Sequence, residues 1–321
     1  MTLKEIKSSE ISPKHFIKEK TNEIARAVGE GYAITALSGG VDSSVVTMLG
    51  HFALGPRLIV YIIDNGLMRE GEPEKVALTF QKMGIKVVIL DAQDIFFRAL
   101  KGIIDPEKKR EAITQAFYKN VFAGIVRQSG AKCLLQGTIL TDIEETVAGV
   151  KRQHNVFEQL GINPEKEFGY KIIEPLIQLR KDGVRMVARE LGLPQSIYER
   201  MPFPGPALAA RVIGEVTREE IKLVRKATAI TEEVLGNIEA FQYLAILHKD
   251  QVTGVKKGKR EFGRQIEIRC WESVDARIAT PKRLPYVILD LLSSRITDEV
   301  PGVVSVTYNI TPKPPSTIEA I

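Results

Sequence analysis

Along the first two hundred residues, short unbroken apolar runs alternate with stretches in which apolar positions recur every three or four residues. The runs at 32–37, 58–63 and 86–90 are continuous and rich in β-branched residues, the pattern of strands buried on both faces of a parallel sheet. Between the first two, Val45, Val46, Met48, Leu49, Phe52 and Ala53 fall at helical spacing, and Gly55-Pro56 ends the pattern. A second amphipathic stretch over 72–83 stops at Gly84, a helix signal covers 106–128, and a fourth strand is predicted over 132–135. Strands joined through helices in this way predict an α/β fold with a right-handed, doubly wound parallel sheet.

The pattern changes at Met201-Pro202-Phe203-Pro204-Gly205-Pro206, which can continue neither a helix nor a central strand. Two domains are therefore predicted, 1–200 and 201–321. The second opens with a helix at a capping box, Thr217 with Glu220 three residues on, running to about 235. Strands over 243–247 and 265–270, a helix over 285–296 and a strand over 303–310 complete an αββαβ order, a small two-layer α+β domain.

Composition narrows the class. The chain has 321 residues, 44% hydrophobic and 26% charged, which excludes disorder, collagen and a disulfide scaffold. Its longest apolar run is about a third of a membrane-spanning helix, and the N-terminus lacks the apolar core of a signal peptide, so a cytoplasmic protein is predicted. Cys133 and Cys270 lie far apart and read as packing residues, and His15, His51, His154 and His248 fall at no metal-ligand spacing. The net charge is +5, and residues 249–269 alone hold seven basic and three acidic side chains. The excess is local, fitting a nucleotide phosphate or an interface better than a long polyanion, although part of it is a solvated face.

The chemistry concentrates in the turn Leu37-Ser38-Gly39-Gly40-Val41-Asp42-Ser43-Ser44. Adjacent glycines let the backbone approach an anion, the following helix offers unpaired N–H groups, and three hydroxyls add donors: a phosphate cradle. It is neither G-x-x-x-x-G-K-[ST] nor G-x-G-x-x-G. Asp42 would repel phosphate unless a cation intervenes, which predicts a Mg²⁺ there and attack at the α-phosphorus of ATP with release of pyrophosphate.

Ser38-Gly39-Gly40-Val41-Asp42-Ser43 resembles the loop of the N-type ATP pyrophosphatases, whose sheet is of the adenine-nucleotide α-hydrolase-like kind. That superfamily includes NAD, asparagine and argininosuccinate synthetases and tRNA-thiolating enzymes, and the loop does not choose among them. Further segments resemble the GMP synthetase family in order: Ile63-Asp64-Asn65-Gly66-Leu67-Met68-Arg69, Asp105 to Arg110, Gln136-Gly137-Thr138 with Asp142 and Glu145, Lys151 with His154-Asn155-Val156, Glu174-Pro175-Leu176, Phe203 to Pro206, and Lys313-Pro314-Pro315-Ser316-Thr317-Ile318-Glu319. The resemblance implies that ATP adenylates the C2 oxygen of xanthosine 5′-monophosphate (XMP) and that ammonia then displaces AMP to give GMP. It implies ATP binding at residues 38–44, Mg²⁺ at Asp42, and a catalytic set of Asp42, Asp142, Glu145, Lys151 and His154. Asp142 and Glu145 would complete the metal site or act on the amine, and Lys151 would stabilise the α-phosphate as a lid closes. Arg110, Gln242, Lys313, Thr317 and Glu319 would bind XMP, and the second domain would dimerise. Without the resemblance, the carboxylate pair reads as a solvated face, the lid as an exposed basic loop and the terminal arm as a loose tail.

Two positions depart from the family pattern: Gln153 replaces the first of two lid histidines, and Lys257-Gly258 stands where a Gly-Asp pair is usual. No glutaminase domain of the kind many family members carry precedes the first strand, so the expected partner is a separate glutamine amidotransferase subunit supplying ammonia. NAD synthetase and an RNA-modifying enzyme are the rival readings.

Overall fold

A computed structural model of the chain describes residues 4–147, 170–256, 258–274 and 276–320, with 145–147 described by their backbone alone. Lys151, Gln153 and His154 lie outside the described residues, as does the side chain of Glu145. The chain divides into two compact units, one of 1–64, 72–92 and 117–200, the other of 65–71, 93–116 and 201–321.

In the first unit, five strands form one parallel sheet: β1 (Ala33–Ala36), β2 (Leu58–Asp64), β3 (Val87–Asp91), β4 (Cys133–Leu135) and β5 (Lys171–Ile173). Its helices are α1 (Pro13–Val28), α2 (Val41–Leu54), α3 (Glu72–Lys82), α6 (Ala123–Ser129), α7 (Leu140–Val147), α8 (Lys181–Glu190) and α9 (Gln195–Tyr198), while α4 (Gln93–Leu100) and α5 (Pro106–Gln115) belong to the second unit. The strand order β3-β2-β1-β4-β5 means that the chain builds outward from β1 on one side and then resumes on the other. The sheet is doubly wound, and its order reverses between β1 and β4, the place where open α/β sheets bind ligands at their carboxyl ends. Phe16, Ile24, Val45, Leu49, Val60, Phe80, Leu135, Val184 and Val187 form the core that fixes this sheet.

Two expectations need correction. The run at 86–90 is not buried on both faces: β3 is the sheet edge, and Val88 and Ile89 are 38% and 40% exposed. Nor is 106–128 one regular helix, because residues 116–122 between α5 and α6 adopt the wider π-helical turn. The sheet also gains β5, three residues long and held on β4, which the sequence pattern does not mark.

The second unit follows the predicted order: α10 (Arg218–Leu235), β6 (Gln242–Lys256), β7 (Lys259–Glu272), α11 (Tyr286–Glu299) and β9 (Val303–Tyr308), with a two-residue β8 (Thr280–Pro281) added. Thr217 caps α10 by accepting from the Glu220 N–H at 3.2 Å, while the Glu220 carboxylate accepts from Arg264 at 2.7 Å. β6 and β7 extend well beyond their apolar cores to pair Lys256 with Lys259, a reversal that Gly258 allows at φ +74°. The departure from the family pattern at this position thus forms a tight hairpin. Leu244, Ile246, Trp271, Ala279 and Ile318 make the core against which the C-terminal arm packs. Among the described residues no helix is long and apolar enough to cross a membrane.

Candidate active site

At the end of β1 the Leu37 N–H still donates to Tyr61 O at 2.8 Å, and then the chain leaves the sheet. Gly39 turns it at φ +77°, and Gly40 caps α2 in an extended conformation. Two serines brace the turn from inside. Ser43 Oγ accepts from the Ser38 N–H at 3.2 Å and donates to Gly40 O at 3.1 Å, while Ser38 Oγ lies 3.0 Å from Ser43 Oγ and accepts a long bond from the Gly40 N–H at 3.4 Å. The first turn of α2 then presents backbone N–H groups and the positive end of its dipole, an arrangement suited to an anion.

Asp42 sits in that first turn. Lys181 Nζ, on the first residue of α8, donates to its Oδ2 at 2.5 Å. Its Oδ1 is buried, and among the described residues nothing donates to it. A carboxylate oxygen left without a donor at the mouth of an anion site is a ligand for a hard cation, so the residues present fit Mg²⁺, which typically takes one or two carboxylates plus phosphate oxygens and water. No group of three or more His, Cys, Asp and Glu side chains that could hold a metal occurs among the described residues.

The loop after β4 closes on the same place. A Cβ on Gly137 would lie 3.1 Å from the Asp42 carbonyl carbon and 3.1 Å from Ser43 N, so only glycine lets the two loops approach this closely. Beyond it, Asp142 Oδ2 accepts from the Ile139 N–H at 3.0 Å, capping the start of α7. Gln136 Nε2 donates to Thr138 Oγ1 at 3.1 Å, and Thr138 Oγ1 donates to Glu174 Oε1 at 2.5 Å. Behind this chain lie the buried rings of Tyr118, Phe122 and Tyr170. Burial, with Tyr170 and Glu174 close by, pushes the Tyr118 hydroxyl far up, so it remains a neutral donor.

The second unit gathers some of the residues expected to bind XMP. Gln242 Nε2 donates to Glu319 Oε1 at 2.7 Å, and the buried Arg211 donates to both oxygens of Glu319 at 3.2 and 3.3 Å. Thr317 Oγ1 donates to Glu319 O at 2.6 Å, while Arg269 Nη1 holds Thr317 O at 2.7 Å. The Phe203 ring stacks under two guanidinium groups, Arg69 at 3.9 Å and Arg211 at 4.9 Å. Arg225 anchors the loop after β2, donating to Gly66 O at 2.6 Å and Met68 O at 2.8 Å. Lys313 takes another direction and donates to Ala276 O at 2.8 Å, and Arg110 pairs along its own helix with Glu107 at 3.6 Å. Its neighbour Lys109 is fully buried against Val212 O at 2.8 Å, and burial lowers it to about 8 despite the opposing pull of Glu220. Cys133 and Cys270 are both buried, and burial pushes the Cys270 thiol up to about 11.

The sequence reading missed Lys181, Glu174, Arg200 and Arg211, all of which touch these groups. None lies in the glycine-rich turn, and each meets its partner only through the fold.

Residues 229–320 match the family model described as GMP synthase C terminal domain. Over far more of its length, the chain is similar to proteins named as one of the two subunits of glutamine-hydrolyzing GMP synthase. The one from Archaeoglobus fulgidus is 49% identical over 304 residues, 95% of this chain and 98% of that protein. Those from Methanocella arvoryzae and Pyrococcus furiosus are 50% and 48% identical, each over 95% of this chain and covering 97% and 96% of their own lengths. Among solved structures, NMN synthetase from Francisella tularensis is similar at a TM-score of 0.47 and 17% identity, covering 61% of this chain and 78% of that one. Identity near one half, sustained over 95% of the chain and nearly all of each relative, means that the chain belongs to the family of synthetase subunits of glutamine-hydrolyzing GMP synthase.

Proposed function

We propose that the chain is the synthetase subunit of a two-subunit GMP synthase, a carbon–nitrogen ligase that adenylates XMP with ATP and aminates it with ammonia. The observation that carries this reading is Asp42, a carboxylate with one buried oxygen open to a cation, set in a turn built for phosphate.

In this reading the N–H groups at the start of α2 and the hydroxyls of Ser38, Ser43 and Ser44 hold the β- and γ-phosphates of ATP, with Gly39, Gly40 and Val41 supplying the close backbone. Mg²⁺ at Asp42 would neutralise charge developing on the leaving pyrophosphate. Lys181 orients Asp42 and adds positive charge beside the phosphates. The C2 oxygen of XMP attacks the α-phosphorus, the bond to the β-phosphate oxygen breaks, and pyrophosphate leaves. Ammonia then attacks C2, the bond from C2 to oxygen breaks, AMP leaves, and the new amine gives up a proton. Asp142 and Glu145 would share the metal or accept that proton, and Lys151 and His154 would act from the lid. Arg110 and Lys313 suit the XMP phosphate, a fork and a point charge, while Gln242, Thr317 and Glu319 suit the base. Two further parts belong to the proposal. One is a homodimer through the second unit, where Val274, Ile278, Tyr286, Val287 and Ile310 are exposed. The other is a cytoplasmic glutamine amidotransferase partner delivering ammonia, since the relatives are named as a single subunit of a glutamine-hydrolyzing enzyme.

Pyrophosphate and GMP formation by the purified chain tests the reading. MgATP, XMP and ammonium salts should give both products, and glutamine in place of ammonium should give neither. Silence with XMP alongside pyrophosphate release with deamido-NAD or tRNA would overturn the assignment. Robust glutamine-dependent turnover by this chain alone would reject the separate glutaminase subunit.

A further inference from the structure

We infer that Arg200 is a positioning residue for the phosphate-binding turn, holding the peptide between Gly39 and Gly40 so that the Gly40 N–H faces the bound anion. The inference rests on the reading that this turn takes the phosphates of ATP. Arg200 Nη1 donates to Gly39 O at 3.1 Å, and its Nη2 pairs with Glu72, the first residue of α3. In a trans peptide the carbonyl and the next N–H point in opposite directions, so anchoring Gly39 O aims the Gly40 N–H to the other side. The peptide needs such an anchor because it joins two glycines, whose backbone turns over at little cost. The Gly40 N–H makes a long bond of 3.4 Å to Ser38 Oγ, one readily exchanged for a phosphate oxygen.

The far side of the turn is filled. A Cβ on Gly39 would lie 2.7 Å from Val76 Cγ2 and 3.0 Å from Arg200 Nη1, so α3 and Arg200 together close that face and leave the opposite one for the ligand. Glu72 is buried, its side chain 7% exposed, and it neutralises the guanidinium. Arg200 therefore contributes direction rather than charge. A lysine would keep the charge but not the planar fork that reaches both partners.

Calorimetric binding of MgATP to the full chain, paired with steady-state kinetics, separates these roles. Arg200→Gln and Arg200→Lys should each weaken MgATP binding and raise the KM for ATP by about tenfold, the worth of one lost buried hydrogen bond, with the KM for XMP unchanged. Wild-type MgATP affinity in Arg200→Gln overturns the inference. Full rescue by lysine also overturns it, because charge alone would then suffice. If Arg200→Gln does not fold, Glu72→Gln decides: it should still weaken MgATP binding severalfold, and unchanged affinity sinks the idea. A wild-type chain that binds no MgATP would reject the proposed function itself, and this inference with it.

Discussion

A carboxylate at the mouth of an anion-binding turn needs positive charge close by, and Asp42 has Lys181 on one oxygen and room for a cation on the other. Asp42→Asn keeps the shape and the helix but removes the charge that holds the metal. Pyrophosphate release should fall by about 10²-fold or more, with the melting temperature close to wild type. A variant near full activity would take Asp42 out of the metal site. At this scale the turn is legible in the sequence, because Ser38, Gly39, Gly40, Asp42 and Ser43 lie within six consecutive positions. Lys181 is not, since 139 residues separate it from Asp42, and Arg200 lies 161 residues beyond Gly39. An isolated lysine at the start of an amphipathic helix carries no local sign of the carboxylate it will meet.

Among the elements, the decisive contact is between the loop after β1 and the loop after β4. Those strands are neighbours in space, and Gly137 lets their loops touch. In Gly137→Ala the new methyl group would press on the backbone of Asp42 and Ser43, which cannot step aside as a flexible side chain could. Turnover should drop by about tenfold, as expected for a small misplacement of groups around the reacting phosphate, while circular dichroism stays native. Wild-type turnover would mean that the loop spacing is slack. The elements themselves are mostly readable from periodicity, including α2, β2 and the capped start of α10. The errors share one cause. An apolar run records a preference for burial but not where in the sheet the strand ends up, so β3 reads as interior and lies at the edge. β5, at three residues, is too short to show a period at all. In the second unit β6 and β7 outgrow their apolar cores because each pairs with the other through a hairpin, where backbone bonding continues past the last buried side chain.

For the whole molecule, the proposed dimer makes a direct demand on the exposed face of α11. Tyr286 and Val287 are 81% and 70% exposed, an unusual cost for a tyrosine and a valine side by side unless something covers them. Val287→Asp should therefore give a monomer at micromolar concentration in sedimentation while its secondary structure persists. A wild-type chain that sediments as a monomer, or a variant that still dimerises fully, would remove α11 from the interface. The sequence by itself determined the fold class, the phosphate turn with its acidic residue and, through ordered motifs along the chain, the family. These rest on spacing among near neighbours and on hydrophobic period, which survive without coordinates. Only the tertiary structure decided which distant side chains complete the site: Lys181 on Asp42, Arg200 on Gly39, Arg211 and Gln242 on Glu319. Such pairs form because particular strands and helices are adjacent, and adjacency is set by the packing of the whole sheet rather than by any short stretch of chain.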